Sequence, residues 1–156
     1  MSDPDRGTPR RLGARDPATT SRMMSAVRAK DTKPELALRR ALHARGARYR
    51  LHPKDVLGRP DIVVRSRRLA IFVDGDLWHG NPEEWRRRGR ESLADLFPTR
   101  TNWWVQKITR TVERDREVDR GLGEAGWSVI RIWASDVLRD PNAAADHVML
   151  SWRGDS

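Results

Sequence analysis

The sequence contains no cysteine, and this absence excludes several kinds of chemistry at once. Disulfide bonds, thiolate nucleophiles and every zinc site that needs a sulfur ligand are ruled out. The four histidines are scattered, with no HxxxH pair on a predicted helix, which disfavours a zinc site built from histidines and carboxylates. We therefore expect a protein without zinc.

Long hydrophobic runs are also missing. No stretch approaches the roughly 20 apolar residues that cross a bilayer, and positions 1–21 lack the apolar segment of a secretory signal. We expect a cytoplasmic protein with no membrane contact. The 156 residues have the length of one ordinary domain. Positions 1–20 are polar and aperiodic, which predicts a disordered basic N-terminal tail followed by a single domain over 21–156.

Positive charge is in excess, with 31 Lys and Arg against 22 Asp and Glu and a net charge of +9. Such an excess favours a polyanionic partner, because each Lys or Arg that neutralises a phosphate releases counterions. Heavy arginine usage in a GC-rich genome, with a merely solvated basic surface, explains the charge equally well. The seven tryptophans add some weight to nucleic acid, since flat rings can stack on bases.

The hydrophobic pattern predicts the element order α-β-β-β-α-β-α, in which helices pack against a mixed sheet. A capping box from Thr32 to Glu35 begins a helix over about 34–45, which stops at Gly46. The other predicted elements are, in chain order, strands at 49–52, 61–64 and 69–73, an Arg-rich loop at 80–100, a helix at 101–122, a strand at 127–133 and a helix from 140.

Acidic residues gather where two predicted strands begin and end. Asp61 opens one strand directly after a Gly-Arg-Pro turn, and Asp74 follows the neighbouring strand. A carboxylate in such a buried position needs a cation, and hard divalent ions such as Mg²⁺ prefer oxygen ligands. The pattern indicates a magnesium site. A turn-closing Asp61 beside a solvated acidic loop is the alternative interpretation.

His79 follows the same strand and is a candidate general base, since an imidazole can take a proton from water at neutral pH. Asp115 shares the apolar face of the long predicted helix, where a carboxylate needs a partner. That partner is either His79 or one of the many arginines. Glu35 has a structural explanation in the capping box and is a further candidate for the site.

Short segments of the chain match a known family in order, from about 21 to 138. They are Ser-Arg-Met-Met at 21–24, Lys-Asp-Thr at 30–32, Gly-Arg-Pro-Asp-Ile-Val-Val at 58–64, Ile-Phe-Val-Asp-Gly at 71–75, Trp-His at 78–79, Pro-Thr-Arg-Thr at 98–101, Val-Glu-Arg-Asp-Arg at 112–116 and Gly-Trp at 126–127. In these segments the chain resembles the very-short-patch repair (Vsr) DNA mismatch endonucleases. The resemblance implies an α/β fold with a restriction-endonuclease-like (PD-(D/E)XK) core. It also implies an enzyme that nicks one strand 5′ of the T in a T·G mismatch, such as deamination of 5-methylcytosine leaves.

The resemblance implies roles for individual residues. Asp61 matches the acid that binds Mg²⁺, and Val73 matches the residue whose backbone carbonyl binds it as well. His79 matches the general base and Asp115 the acid that orients it. Glu35 matches an acid that supports the water shell of the metal.

Apolar residues of this family are inserted into the duplex beside the mismatch, and Met24, Leu77 and Trp78 match them. Such wedges unstack a base step, which costs less at a poorly paired site. The implied partner is mismatched double-stranded DNA in the nucleoid, bound by a monomer and passed on to downstream repair proteins. A nuclease of the same fold with another mismatch or restriction specificity, or a DNA-binding module without catalysis, are the alternatives.

The chain departs from the family pattern at two places. The structural zinc of well-known members is held by three cysteines and a histidine, and Asp76 and Ser135 stand at two of those cysteine positions, with no candidate for the third. An Arg-rich loop at 80–98 takes the place of that scaffold. Asp74 stands where a histidine is typical, and we expect it in the water shell of the metal.

Overall fold

The computed structural model describes residues 31–153; the predicted tail at 1–20 and Met24 lie outside the described residues. Four strands form one mixed sheet in the order β1-β2-β3-β4. The β1–β2 and β2–β3 pairs are antiparallel, whereas β4 runs parallel to β3. The strands are β1 Arg50–Leu51, β2 Ile62–Val64, β3 Leu69–Asp74 and β4 Ser128–Trp133.

Helices cover both faces of this sheet. Their bounds are α1 Lys33–Ala44, α2 Glu83–Arg86, α3 Thr101–Glu124, α4 Ala134–Arg139 and α5 Pro141–Arg153. Leu38 of α1 and Val148 of α5 are fully buried on one face, in a cluster that includes Ile71 of β3. Leu122 of α3 is buried on the other face in a cluster with Phe72. Within residues 31–153, no helix is long and apolar enough to cross a membrane.

Alternation along the strands explains these two cores, because successive side chains of a strand point to opposite faces of the sheet. Ile71 faces α1, whereas Ala70 and Phe72 face α3. The nearly continuous apolar run of β3 is therefore covered on both sides. The result is the predicted mixed sheet flanked by helices.

The predicted capping box at the start of α1 is observed with one change: the Glu35 carboxylate accepts from the amide of Asp31 instead of the amide of Thr32. Thr32 is the N-cap, and its hydroxyl accepts from the Glu35 amide at 3.5 Å. The Glu35 carboxylate accepts from the amide of Asp31 at 3.2 Å. Gly46, with φ of 77°, follows the end of the helix as expected.

The segment 80–100, predicted as a loop, contains the short helix α2 and a 3₁₀ turn at Leu93–Leu96. The Asn81 side chain accepts from the Glu83 amide at 3.1 Å and so starts α2. Leu93 and Phe97 pack against a buried aromatic cluster on α3. These elements depend on tertiary contacts and carry too few turns for a hydrophobic period. The same holds for α4, which the sequence did not predict.

Candidate active site

A cleft of about 730 Å³ opens at the edge of the sheet where β3 and β4 end and β2 begins. Antiparallel pairing of β2 with β3 brings the start of one strand beside the end of the other. Every described residue predicted to bind the metal or carry the catalysis lies in its lining, together with an arginine that was not predicted: Glu35, Asp61, Val73, Asp74, His79, Asp115 and Arg131.

The turn before β2 presents Asp61 to this cleft. Gly58 and Arg59 both adopt left-handed backbone conformations, with φ of 76° and 50°. A Cβ atom on Gly58 would lie 2.4 Å from the Cγ1 atom of Val118 on α3. Backbone conformation and close approach to α3 therefore both require glycine at this turn.

The Asp61 carboxyl is held by β3 and is short of positive charge. Its Oδ2 atom accepts from the Val73 amide at 2.7 Å. Burial raises the pKa of Asp61 to about 7, the Val73 hydrogen bond opposes this rise, and the charges of Glu35 and Asp74 add to it. His52 lies near it, with its Nδ1 atom 3.9 Å from Asp61 Oδ1.

Glu35 combines its capping role with a place in the site. Its Oε2 atom accepts from Arg39 Nη2 at 3.1 Å and lies 3.4 Å from His52 Nε2. Arg39 also contacts Asp31 at 2.6 Å and the Nε2 atom of His52 at 3.0 Å. Asp31, Glu35 and His52 lie close enough to share one ion, but the Arg39 guanidinium already supplies positive charge to both acids.

His79 faces two carboxylates through the same ring nitrogen. Its Nδ1 atom lies 2.5 Å from Asp115 Oδ2 and 3.7 Å from Asp74 Oδ1. An ionised carboxylate only accepts hydrogen bonds, so the Asp115 contact places the ring proton on Nδ1 and leaves Nε2 as an acceptor. Gly80, the next residue of this loop, adopts a left-handed backbone conformation with φ of 69°, and a Cβ atom on it would lie 3.0 Å from the Cγ2 atom of Val112 on α3.

Arg131 of β4 contacts both of these acids. Its Nη1 atom donates to the two Asp74 oxygens at 3.1 and 3.2 Å and lies 3.5 Å from Asp115 Oδ1. Both predicted partners of Asp115, a histidine and an arginine, are thus present. Burial raises the pKa of Asp74, and the neighbouring His79 and Arg131 act against this rise.

Two of the residues that complete the site, Arg131 and His52, were missed by sequence reasoning. Arg131 stands in an Ile-Arg-Ile-Trp strand, and an arginine among buried apolar residues signals acidic partners. His52 carries a weaker signal, a histidine at the end of a short predicted strand. Its φ of 44° is known only from the structure.

Comparison with known proteins gives the family. The family model described as "DNA mismatch endonuclease Vsr" matches residues 13–86. The chain is also similar to "Type II nicking enzyme V.NmeDIP" of Neisseria meningitidis serogroup C, with 36% identity over 132 residues that cover 85% of this chain and 84% of the relative. The chain belongs to the Vsr DNA mismatch endonuclease family.

Two further relatives agree with this. The chain is 43% identical over 136 residues to "Type II nicking enzyme V.NaeI" of Lentzea aerocolonigenes, covering 81% of this chain and 74% of the relative. It is 36% identical over 118 residues to "DNA mismatch endonuclease Vsr" of Escherichia coli strain K12, covering 76% of this chain and 70% of the relative. Membership confirms the predicted restriction-endonuclease-like α/β fold, and this Vsr protein is a DNA endonuclease.

Two predicted wedge residues of this Vsr protein lie in a buried cluster beside the cleft. Trp78 is 6% exposed, and its ring centroid lies 5.8 Å from that of Trp104. Leu77 is partly buried against the same cluster. Insertion of Leu77, Trp78 and Met24 into a duplex stays a prediction, and for Trp78 it requires the ring to leave this cluster.

Asp76 and Ser135, which the resemblance places at two of the zinc-ligand positions, form a hydrogen-bonded clamp with Asn81. The two Asp76 oxygens accept from the Ser135 hydroxyl at 2.5 Å and its amide at 3.0 Å. Asn81 Nδ2 donates to Asp76 at 2.8 Å. The clamp ties the loop that carries His79 to the start of α4.

A second groove of about 400 Å³ adjoins the cleft along α3 and shares Thr111 and Arg114 with it. Trp103 lines this groove and is 39% exposed. Lys107 Nζ lies 5.0 Å from the centroid of the Trp103 ring. The groove thus places exposed aromatic and basic groups next to the acidic cleft.

Proposed function

We propose that this Vsr protein nicks one strand of duplex DNA beside a T·G mismatch, in a Mg²⁺-dependent hydrolysis that initiates repair. The observation that supports this proposal most directly is that the Asp61 carboxyl and the His79–Asp115 pair line one cleft. The family match and relatives printed as nicking enzymes and as a mismatch endonuclease support the choice of reaction. The T·G preference rests on the sequence resemblance.

The donor set around Asp61 suits a magnesium ion. A carboxylate whose pKa is raised to about 7 by burial and by neighbouring acids is stabilised by a divalent cation. Asp61 and the backbone carbonyl of Val73 would hold the ion, with Glu35 supporting its water shell. Bound Mg²⁺ would neutralise the scissile phosphate and stabilise the leaving 3′ oxygen.

The His79–Asp115 pair supplies the general base. Asp115 fixes the ring by accepting from Nδ1, so that Nε2 can take a proton from the attacking water. The acid itself keeps its charge and stabilises the imidazolium that forms. After the phosphodiester bond breaks, the leaving 3′ oxygen would take up a proton from water, and His79 would release its own proton to solvent.

The DNA would lie across the cleft and the adjoining groove of α3. The net charge of +9 favours the phosphate backbone, and Trp103, Lys107, Arg110 and Arg114 offer stacking and cationic groups beside the catalytic residues. Met24, Leu77 and Trp78 are proposed to enter the duplex near the mismatch. Cutting one strand needs one active site, so we propose that a monomer acts.

The test is strand-specific nicking of labelled duplexes that differ only in one base pair: matched, T·G and each other mismatch. We expect Mg²⁺-dependent nicking of the T·G duplex, lost in Asp61→Asn and His79→Ala while DNA binding stays within about threefold. Asp146→Asn and His147→Ala are the matched controls, because both residues are exposed on α5 away from the cleft. Cleavage by Asp61→Asn at the wild-type rate would refute the mechanism, and preference for another duplex would replace the proposed substrate.

A further inference from the structure

Arg131 is an internal cation of the sheet. Its guanidinium lies 4.1 Å from the centroid of the Phe72 ring, and its side chain is only 19% exposed. A buried guanidinium is costly unless acids and hydrogen-bond acceptors surround it. The contacts of Arg131 therefore identify the carboxylates that balance its charge.

Three acids surround this guanidinium, and we call them with Arg131 the Arg131 brace: Asp74, Asp115 and Asp119. Nε donates to both Asp119 oxygens at 2.8 and 3.1 Å, and Nη1 donates to both Asp74 oxygens. Nη2 lies 2.8 Å from Asp119 Oδ1 and donates to the backbone carbonyl of Asp115 at 3.4 Å. Each of the three nitrogens already donates to a protein oxygen, so the group is occupied by the protein rather than aimed at a phosphate.

Two members of the brace also face His79 Nδ1: Asp115 Oδ2 at 2.5 Å and Asp74 Oδ1 at 3.7 Å. Carboxylates this close together repel unless a cation lies between them, and Nη1 of Arg131 is near both. Without the guanidinium, the repulsion between the two acids would turn them apart, and the imidazole ring would lose the contacts that hold it.

We propose that Arg131 is the positioning residue of the general base, and that Asp74 serves His79 through this brace instead of the metal. The inference rests on the proposed function and assigns Asp74 differently from the water-shell role expected from sequence. Arg131 thus compensates Asp74, Asp115 and Asp119, and Arg39 compensates Glu35. Among the described residues no guanidinium contact is recorded for Asp61, and we assign this acid to the ion.

The first arm of the test follows the His79 ring. Arg131→Gln should lower the single-turnover nicking rate at saturating Mg²⁺ by about 10- to 100-fold, and Arg131→Lys should recover part of it. Ring ¹⁵N spectra, assigned by comparison with His79→Ala, should show loss of the Nδ1-protonated form in Arg131→Gln. Arg45→Gln is the matched control, because Arg45 bonds Asp146 and Asn142 on the surface.

The second arm separates Asp74 from the metal. Asp74→Asn should lower the nicking rate while leaving the calorimetric affinity for Mn²⁺ within about twofold, whereas Asp61→Asn should lose Mn²⁺ binding. Weaker Mn²⁺ binding by Asp74→Asn would overturn its place in the brace. An unchanged rate and ring spectrum in Arg131→Gln would overturn the positioning role.

Two controls keep the outcome decisive. If circular dichroism shows that Arg131→Gln does not fold, Arg131→Lys decides, since one ammonium group cannot contact all three acids, and wild-type rate and spectra there would refute the inference. If the wild-type protein nicks no duplex, the proposed function fails, while ring spectra and Mn²⁺ calorimetry still test the Arg131 brace.

Discussion

The amide of Val73 donates a 2.7 Å hydrogen bond to the Asp61 carboxyl, so that β3 fixes the acid that lies just before β2 in the cleft. The same residue of β3 places its backbone carbonyl at this edge of the sheet. A strand that both orients the acid and offers a second oxygen gives the proposed metal site a rigid base. Burial raises the pKa of this carboxyl to about 7, so a cation bound beside it would favour its charged form.

The requirement for Mg²⁺ should depend on pH through Asp61. Because the pKa of Asp61 in the metal-free protein is raised to about 7, protons compete with the ion below that pH. Below neutrality, we expect the half-saturating Mg²⁺ concentration for nicking to fall by up to about tenfold for each unit by which the pH is raised. Above neutrality it should level off. Titration of nicking with Mg²⁺ from pH 6 to pH 9 measures this. A half-saturating concentration independent of pH would contradict it.

Asp61→Asn should stabilise the metal-free protein at alkaline pH. The folded pKa of about 7 lies above the usual aspartate value of 3.8, so between these two pH values the folded state holds a proton that the unfolded state releases. Stability from this group is complete below about pH 4 and is lost as pH rises to about 7. The substitution should raise the free energy of unfolding at pH 8 by on the order of 1–3 kcal/mol.

Urea unfolding in EDTA at pH 4 and pH 8 measures this effect, with Asp146→Asn as the exposed control. The gain from Asp61→Asn should be small at pH 4, where the folded carboxyl is already protonated. Equal effects at the two pH values would show that ionisation of Asp61 does not destabilise the folded protein.

Sequence reasoning located the strand ends and therefore most of the site. Asp61, Asp74 and His79 could be placed near one another because two strands with clear apolar patterns meet at one edge. Asp115 could be placed on the inner face of α3 by its spacing. These inferences need only local periodicity and the pairing of adjacent strands.

The rest depends on contacts between distant parts of the chain. Alternation in β4 gives the face on which Arg131 lies, but not the three acids that it meets there, which come from β3 and α3. The burial of Trp78 was equally hidden, because the residues after β3 have no regular period. Its ring is covered by a helix that begins more than 20 residues later.

Asp115→Asn should impair catalysis without weakening DNA binding. The amide can no longer stabilise a positively charged ring, and it can present an N–H to Nδ1 and so move the ring proton to Nε2. We expect the nicking rate to fall by about 100-fold or more. The double variant with His79→Ala should be no slower than His79→Ala alone, since the pair acts as one unit.

Single-turnover kinetics on the T·G duplex, with binding measured in Ca²⁺ or EDTA, separate these effects. Additive losses in the double variant would show that Asp115 acts apart from His79. A loss of affinity as large as the loss of rate would place Asp115 in DNA binding instead.

The clamp of Asp76, Asn81 and Ser135 should stabilise the His79 loop without a metal. Ser135→Ala removes a hydroxyl that donates to Asp76 at 2.5 Å, and we expect a loss of about 1–2 kcal/mol in the free energy of unfolding. Ser151→Ala, exposed on α5, is the matched control and should change little. Because hydrogen bonds hold this loop, EDTA added in Mg²⁺-free buffer should leave the melting temperature unchanged, and added Zn²⁺ should not raise it. A drop in melting temperature on chelation, restored by Zn²⁺, would show that a metal holds the fold here.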